Sequence, residues 1–215
     1  MIPDRLFKER ADAAQALARR LAAYGGTRPL VLAIPRGAVP MAQRIAEALD
    51  GELDVVLVRK LGAPFSDEYA IGAVDETGWV YCSPQAAAAG ADDAYIAFET
   101  LRQMTVLRQQ RARYTPLRPR VDPAGRIAIV VDDGLATGAT MIVALHAIRA
   151  QKPAHLVCAV PVAAPASLAR VATLADDVVC LHAPPEFTAV GQFYSRFDQV
   201  EDDEVAAILN AATQA

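Results

Sequence analysis

Residues 127–131, Ile-Ala-Ile-Val-Val, run directly into Asp132-Asp133-Gly-Leu-Ala-Thr137-Gly138-Ala-Thr140 and then into a helix-like stretch at 141–150. Five apolar residues bounded by Arg126 and Asp132 describe a buried strand, because a parallel strand covered on both faces need not alternate. Such a strand carries its two carboxylates to its C-terminal end, where open α/β sheets bind ligands. Small residues, two hydroxyls and two glycines follow, so backbone N–H groups can approach an anion without Cβ obstruction. The next helix turns its N-terminus, with about half a positive charge, to the same place. An anion cradle beside paired acids suits a phosphorylated sugar. The stretch lacks Gly-x-x-x-x-Gly-Lys-Ser/Thr, and no Gly-x-Gly-x-x-Gly opens a strand-to-helix turn, so neither a Walker loop nor the usual dinucleotide fold is supported.

The rest of the chain repeats the strand–helix alternation. Residues 4–24 have a helical apolar period that stops at Gly25-Gly26. Residues 30–34 form a second buried strand, followed by Pro35-Arg36-Gly37-Ala38-Val39-Pro40 and a helix over 41–49. A glycine and a cation where a strand meets a helix make a second candidate anion site. Residues 53–58 read as the next strand, ending in Arg59 and Lys60. Alternation turns these two cations to opposite faces, so only one reaches a site at that end. A lysine is a compact point charge suited to phosphate, which favours Lys60, with Arg59 as the substitute. Residues 70–74 and 79–82 flank Asp75-Glu-Thr-Gly78, a hairpin with a four-residue turn. A long helix over 91–114 is capped by Asp92 or Asp93, and its late arginines complement the helix dipole rather than form a nucleic-acid face. A strand at 155–160, a helix at 164–175, a strand at 177–182 and a helix at 201–212 complete the chain. The expectation is α/β: one domain over residues 1–215, with a central parallel sheet flanked by helices.

The segment Val130-Val-Asp132-Asp133-Gly-Leu-Ala-Thr137-Gly138-Ala-Thr140 resembles the phosphoribosyl pyrophosphate (PRPP) motif of type I phosphoribosyltransferases, with Gly134 where an aliphatic residue is usual. The resemblance implies that Asp132 and Asp133 hold the ribose hydroxyls and, with Mg²⁺ as cofactor, act as metal-site acids. It implies that Ala136, Thr137, Gly138, Ala139 and Thr140 wrap the 5′-phosphate. Arg36, Gly37, Ala38 and Lys60 would take pyrophosphate, in a loop where the family often has a strained or cis peptide. Asp132, Asp133, Arg36 and Lys60 would carry the catalytic roles. Residues 62–82 would form a flap, with Glu68 and Tyr69 as candidates to reach the site. Residues 183–200 would form a hood in which Phe187 stacks on the base.

The implied reaction moves the 5-phosphoribosyl group from PRPP to a nitrogenous base, releasing pyrophosphate, as in nucleotide salvage. Hypoxanthine and guanine enzymes usually carry an aspartate at the position of Ala136 and a lysine in the region of residues 159–162. This chain has neither, which argues against those two bases. Glu186 or Glu68 is left as a general base. A non-catalytic PRPP or nucleotide sensor is the alternative, and a scaffold domain a third. A homodimer is common in the resembled family.

Composition sets the remaining bounds. The chain is 53% hydrophobic and 21% charged, which suits a globular protein and excludes disorder. Its net charge of −4 gives no support for nucleic-acid or membrane partners. No apolar run approaches the roughly 20 residues needed to span a bilayer. The charged start Met1-Ile-Pro-Asp-Arg lacks a signal-peptide core, so a cytoplasmic location is expected. Cys82, Cys158 and Cys180 have no metal-ligand spacing and read as inert thiols, and with His146, His155 and His182 scattered no zinc site is expected.

Overall fold

The computed structural model describes residues 5–115 and 120–212, apart from the side chain of Glu68. Five parallel strands form the central sheet: β1 (Leu30–Ala33), β2 (Glu52–Val55), β6 (Ile127–Val131), β7 (His155–Val162) and β8 (Asp177–His182). Their order is β2-β1-β6-β7-β8. The apolar strands still alternate in what they touch. Val31, Ala33, Ile129, Val131, Val157 and Ala159 pack in one core with α1 (Arg10–Arg20), α2 (Val39–Leu49) and α6 (Asp202–Ala211). Leu30, Leu32, Ala128, Val130, Leu156 and Cys158 pack in the other with α4 (Ala139–Arg149) and α5 (Pro165–Val171). Strands covered by helices on both sides are apolar at every position for this reason.

The strand order fixes where a ligand can sit. From β1 the chain crosses through α2 to β2 on one side, and from β6 it crosses through α4 to β7 on the other. Adjacent strands whose following helices leave in opposite directions open a crevice at their C-terminal ends. That crevice lies between residues 34–38 and 132–138.

Two expectations need correction. Residues 53–58 do not form one strand of the main sheet: β2 ends at Val55, and Val56 gives the last ladder bond, to Ala33 O (3.0 Å). Arg59 and Lys60 instead lie on β3 (Val58–Ala63) of a separate antiparallel sheet with β4 (Ser66–Asp75) and β5 (Val80–Cys82). The predicted turn joins β4 and β5. Asp75 Oδ1 accepts from the Thr77 and Trp79 amides and from the Thr77 hydroxyl, and Gly78 adopts φ +90°. The first helix is also shorter than residues 4–24, beginning at Arg10. Phe7 is held extended: its N–H donates to Phe193 O, and its carbonyl accepts from the Ser195 N–H. The helix over 91–114 is α3 (Asp93–Tyr114), and Asp92 caps it by accepting from the Tyr95 amide at 2.8 Å. No helix among the described residues is long and apolar enough to cross a membrane.

Candidate active site

The loop of residues 136–140 is tied down from behind. The Ser167 hydroxyl donates to Ala136 O at 2.6 Å and Arg170 donates to Thr137 O at 2.9 Å, both from α5. With its carbonyls held there, the loop keeps its amides spare: the N–H groups of Ala136, Thr137, Gly138 and Thr140 have no partner among the described residues. Gly138 adopts φ +76° as the N-cap of α4. An added Cβ there would also lie 3.3 Å from Ser167 Cβ, so glycine serves both the turn and the close backing. Ala139 is the first residue of α4 and is buried, so it shapes the turn without lining the cleft. Four spare donors at the start of an eleven-residue helix form an anion site.

The loop after β1 faces this cradle. Its Pro35–Arg36 peptide bond is cis. The amides of Arg36, Gly37 and Ala38 have no partner among the described residues, and Arg36 lies loosely between Glu201 (3.8 Å) and Asp202 (3.7 Å) of the α6 N-terminal turn. Lys60 reaches the same cleft from β3 and makes no ion pair among the described residues. Arg59 turns away to bond Gln103 Oε1 at 3.0 Å in an adjoining cleft, which leaves Lys60 beside the acids. The main cleft has a volume of about 430 Å³, and Arg36, Gly37, Lys60, Asp132, Asp133, Ala136, Thr137, Gly138 and Thr140 all line it.

Charge is arranged unevenly within it. Burial, and next the neighbouring Asp133 charge, push the Asp132 carboxyl well above its ordinary range. Burial also raises Asp133, but the Arg10 guanidinium pulls it back. Arg10 donates to Asp133 Oδ2 through both Nε (3.0 Å) and Nη2 (2.9 Å). The site therefore attracts positive charge and proton donors such as sugar hydroxyls.

Comparison with known proteins accords with this geometry. A family model described as a phosphoribosyl transferase domain matches residues 4–197. The chain belongs to that family. The crystal structure of TT1426 from Thermus thermophilus superposes with a TM-score of 0.78 at 45% identity, covering 94% of this chain and 97% of that one. Two provisionally named phosphoribosyl transferases of Mycobacterium tuberculosis, Rv0571c from strain H37Rv and MT0597 from strain CDC 1551, are each 44% identical over 97% of this chain. The chain spans about half the length of these curated relatives, 47% in each case.

The far wall of this phosphoribosyl transferase cleft differs from expectation. Phe187 does not line it. Its ring packs on Phe193 (centroids 5.1 Å apart) at the edge of the core, where an apolar ring is already covered. Val190, Phe197, Gln199 and Val200 form that wall instead. Gly134 explains the close fit: a Cβ there would lie 2.6 Å from Val190 Cγ1 and 2.9 Å from Val162 Cγ2. Tyr69 and Glu186 are not among the cleft-lining residues, and the Glu68 side chain lies outside the described residues.

Sequence reasoning missed Arg10, Ser167, Arg170 and Phe197. The first three sit on helices far from the motif in sequence and carry no local pattern. Phe197 lies inside the expected hood segment 183–200, where no sequence feature sets it apart from Phe187.

Asp132→Asn is expected to raise the melting temperature at pH 7 by roughly 2–4 °C, about 1 kcal/mol for a chain of this size. An elevated folded-state pKa means that the native protein holds the proton more tightly than the unfolded chain. Stability therefore falls as pH rises from the ordinary aspartate value of about 3.9 through the elevated one. Thermal melts of both proteins from pH 3 to 8 check this: the gain should vanish at the acid end and be full at the alkaline end.

Proposed function

We propose that the protein transfers the 5-phosphoribosyl group from PRPP to a nitrogenous base and releases pyrophosphate. The observation that carries this reading is the spare-amide cradle of residues 136–140 set beside Asp132 and Asp133 at the strand-order crevice. The cradle takes the 5′-phosphate, and its binding energy positions C1′ for attack. Asp132 and Asp133 orient the ribose hydroxyls and offset the positive charge that develops on the sugar ring. Arg36, Lys60 and the amides of Gly37 and Ala38 take the departing pyrophosphate.

The donor set fits Mg²⁺. Two adjacent carboxylates are hard oxygen ligands, and no third His, Cys, Asp or Glu joins them in a metal-holding group among the described residues. That suits an ion whose remaining ligands are substrate oxygens and water. When bound, the ion neutralises charge on the pyrophosphate group.

Flap closure by residues 62–82 excludes water from the reacting carbon, and residues 183–200 shield the acceptor. Val190, Phe197 and Gln199, rather than Phe187, are assigned to the acceptor side. Ala136 and the uncharged end of β7 disfavour hypoxanthine and guanine.

Pyrophosphate release from PRPP and Mg²⁺, measured across a panel of purine and pyrimidine bases, tests the proposal. Release that depends on one base class is expected. PRPP binding with no release for any base would move the protein to the sensor reading.

A further inference from the structure

Arg10 is the first residue of α1, yet its side chain lines the cleft. Its guanidinium makes three kinds of contact at once. Nε and Nη2 both donate to Asp133 Oδ2, Nη1 donates to the Asp198 carbonyl at 2.6 Å, and the flat group lies 3.9 Å from the Phe197 ring centroid. Phe197 also stacks at 4.8 Å on Tyr194, whose hydroxyl donates to the Asp133 carbonyl at 2.8 Å. Asp133 is thus gripped twice from residues 194–198, by its carboxylate through Arg10 and by its backbone through Tyr194. The Arg10 side chain is only 14% exposed and that of Asp133 16%. Both press on the β1–α2 loop, since a Cβ on Gly37 would lie 2.2 Å from Asp133 Oδ2 and 3.0 Å from Arg10 Nη2.

We infer that Arg10 is a positioning residue that fixes the Asp133 carboxylate for the ribose diol and ties the acid pair to the segment 194–198; this rests on the PRPP reading above. With Oδ2 held by two N–H groups, only Oδ1 of Asp133 is left to share the sugar hydroxyls with Asp132. A guanidinium is needed. Two donors converging on one carboxylate oxygen, a third to a carbonyl and a flat face on an aromatic ring exceed what an ammonium offers.

The test compares wild type, Arg10→Ala and Arg10→Lys by calorimetry with PRPP and Mg²⁺, and then with ribose 5-phosphate against 2-deoxyribose 5-phosphate. Loss of charge-assisted hydrogen bonds predicts PRPP affinity about tenfold or more weaker in Arg10→Ala. The preference for ribose over 2-deoxyribose should collapse, and added guanidinium should recover part of both. Arg10→Lys should show the same loss although it keeps the charge, which preserves the test if the alanine variant folds poorly. Wild-type affinity in the variants, or equal weakening towards both sugars with no guanidinium rescue, would overturn the inference. Failure of wild type to bind PRPP would instead overturn the site reading itself, and Arg10's role with it.

Discussion

Asp132→Asn with Asp133→Asn should abolish Mg²⁺–PRPP binding while the protein stays folded. Neither side chain supports the hydrophobic cores, which are assembled from the strands and helices behind the crevice. Asparagine keeps the volume of each acid and removes both negative charges. The charge is what matters, because in the proposed reaction a hard cation and two sugar hydroxyls would meet the protein at this pair. Affinity should fall by roughly 1,000-fold or more, about 4 kcal/mol. The circular dichroism spectrum should be unchanged. Asp133→Asn leaves Arg10 with a weaker acceptor, which offsets the relief of burying two like charges, so the melting temperature should move by only a few degrees. Unchanged PRPP affinity in this variant would remove the acids from the site.

The second large effect is expected at Gly37. No side chain fits there, since even a Cβ would stand 2.2 Å from Asp133 Oδ2. That oxygen cannot step aside cheaply because Arg10 holds it twice. Gly37→Val must therefore displace either the β1–α2 loop or the acid pair. Misplacement of about 1 Å in a reacting constellation can cost on the order of 100-fold in rate, and a fall of that size in kcat/KM for PRPP is predicted. That displacement also costs stability, so the melting temperature should fall as well, although Gly37 lies at the cleft rather than in a core. Steady-state kinetics beside a thermal melt separate the two effects. Full activity in Gly37→Val would mean that the loop and the acids need not approach as closely as they do here.

The sequence was most readable where chemistry and local structure coincide. A run such as Ile127–Val131 followed by Asp132, Asp133 and Thr137–Thr140 declares a strand, a loop and a helix start within fourteen positions, because each step has its own residue types. The same holds for Asp92 as a cap and for Asp75–Gly78 as a turn. Legibility failed where long-range pairing overrides a local pattern. Val56, Leu57 and Val58 continue the apolar style of β2, and nothing nearby announces that the chain leaves for a second sheet before Arg59 and Lys60. Phe7 carries a helical period with its neighbours, but pairing with the strand-like segment at 193–195 keeps it extended. Aromatic residues near the site were ambiguous for a related reason. Phe187 and Phe197 both lie in the segment 183–200, and only packing decides which one meets the cleft. Arg10 was beyond reach from sequence, since one arginine in an amphipathic helix looks like a solvated charge until Asp133 is placed against it.

The cleft between residues 34–38 and 132–140 is expected to bind PRPP through its amides and its acid pair. Calorimetric titration of the purified wild-type protein with PRPP, with and without Mg²⁺, decides this. One site per chain is predicted, with affinity that depends on Mg²⁺ and that inorganic pyrophosphate weakens by competition. No heat of binding at millimolar PRPP in the presence of Mg²⁺ would contradict it.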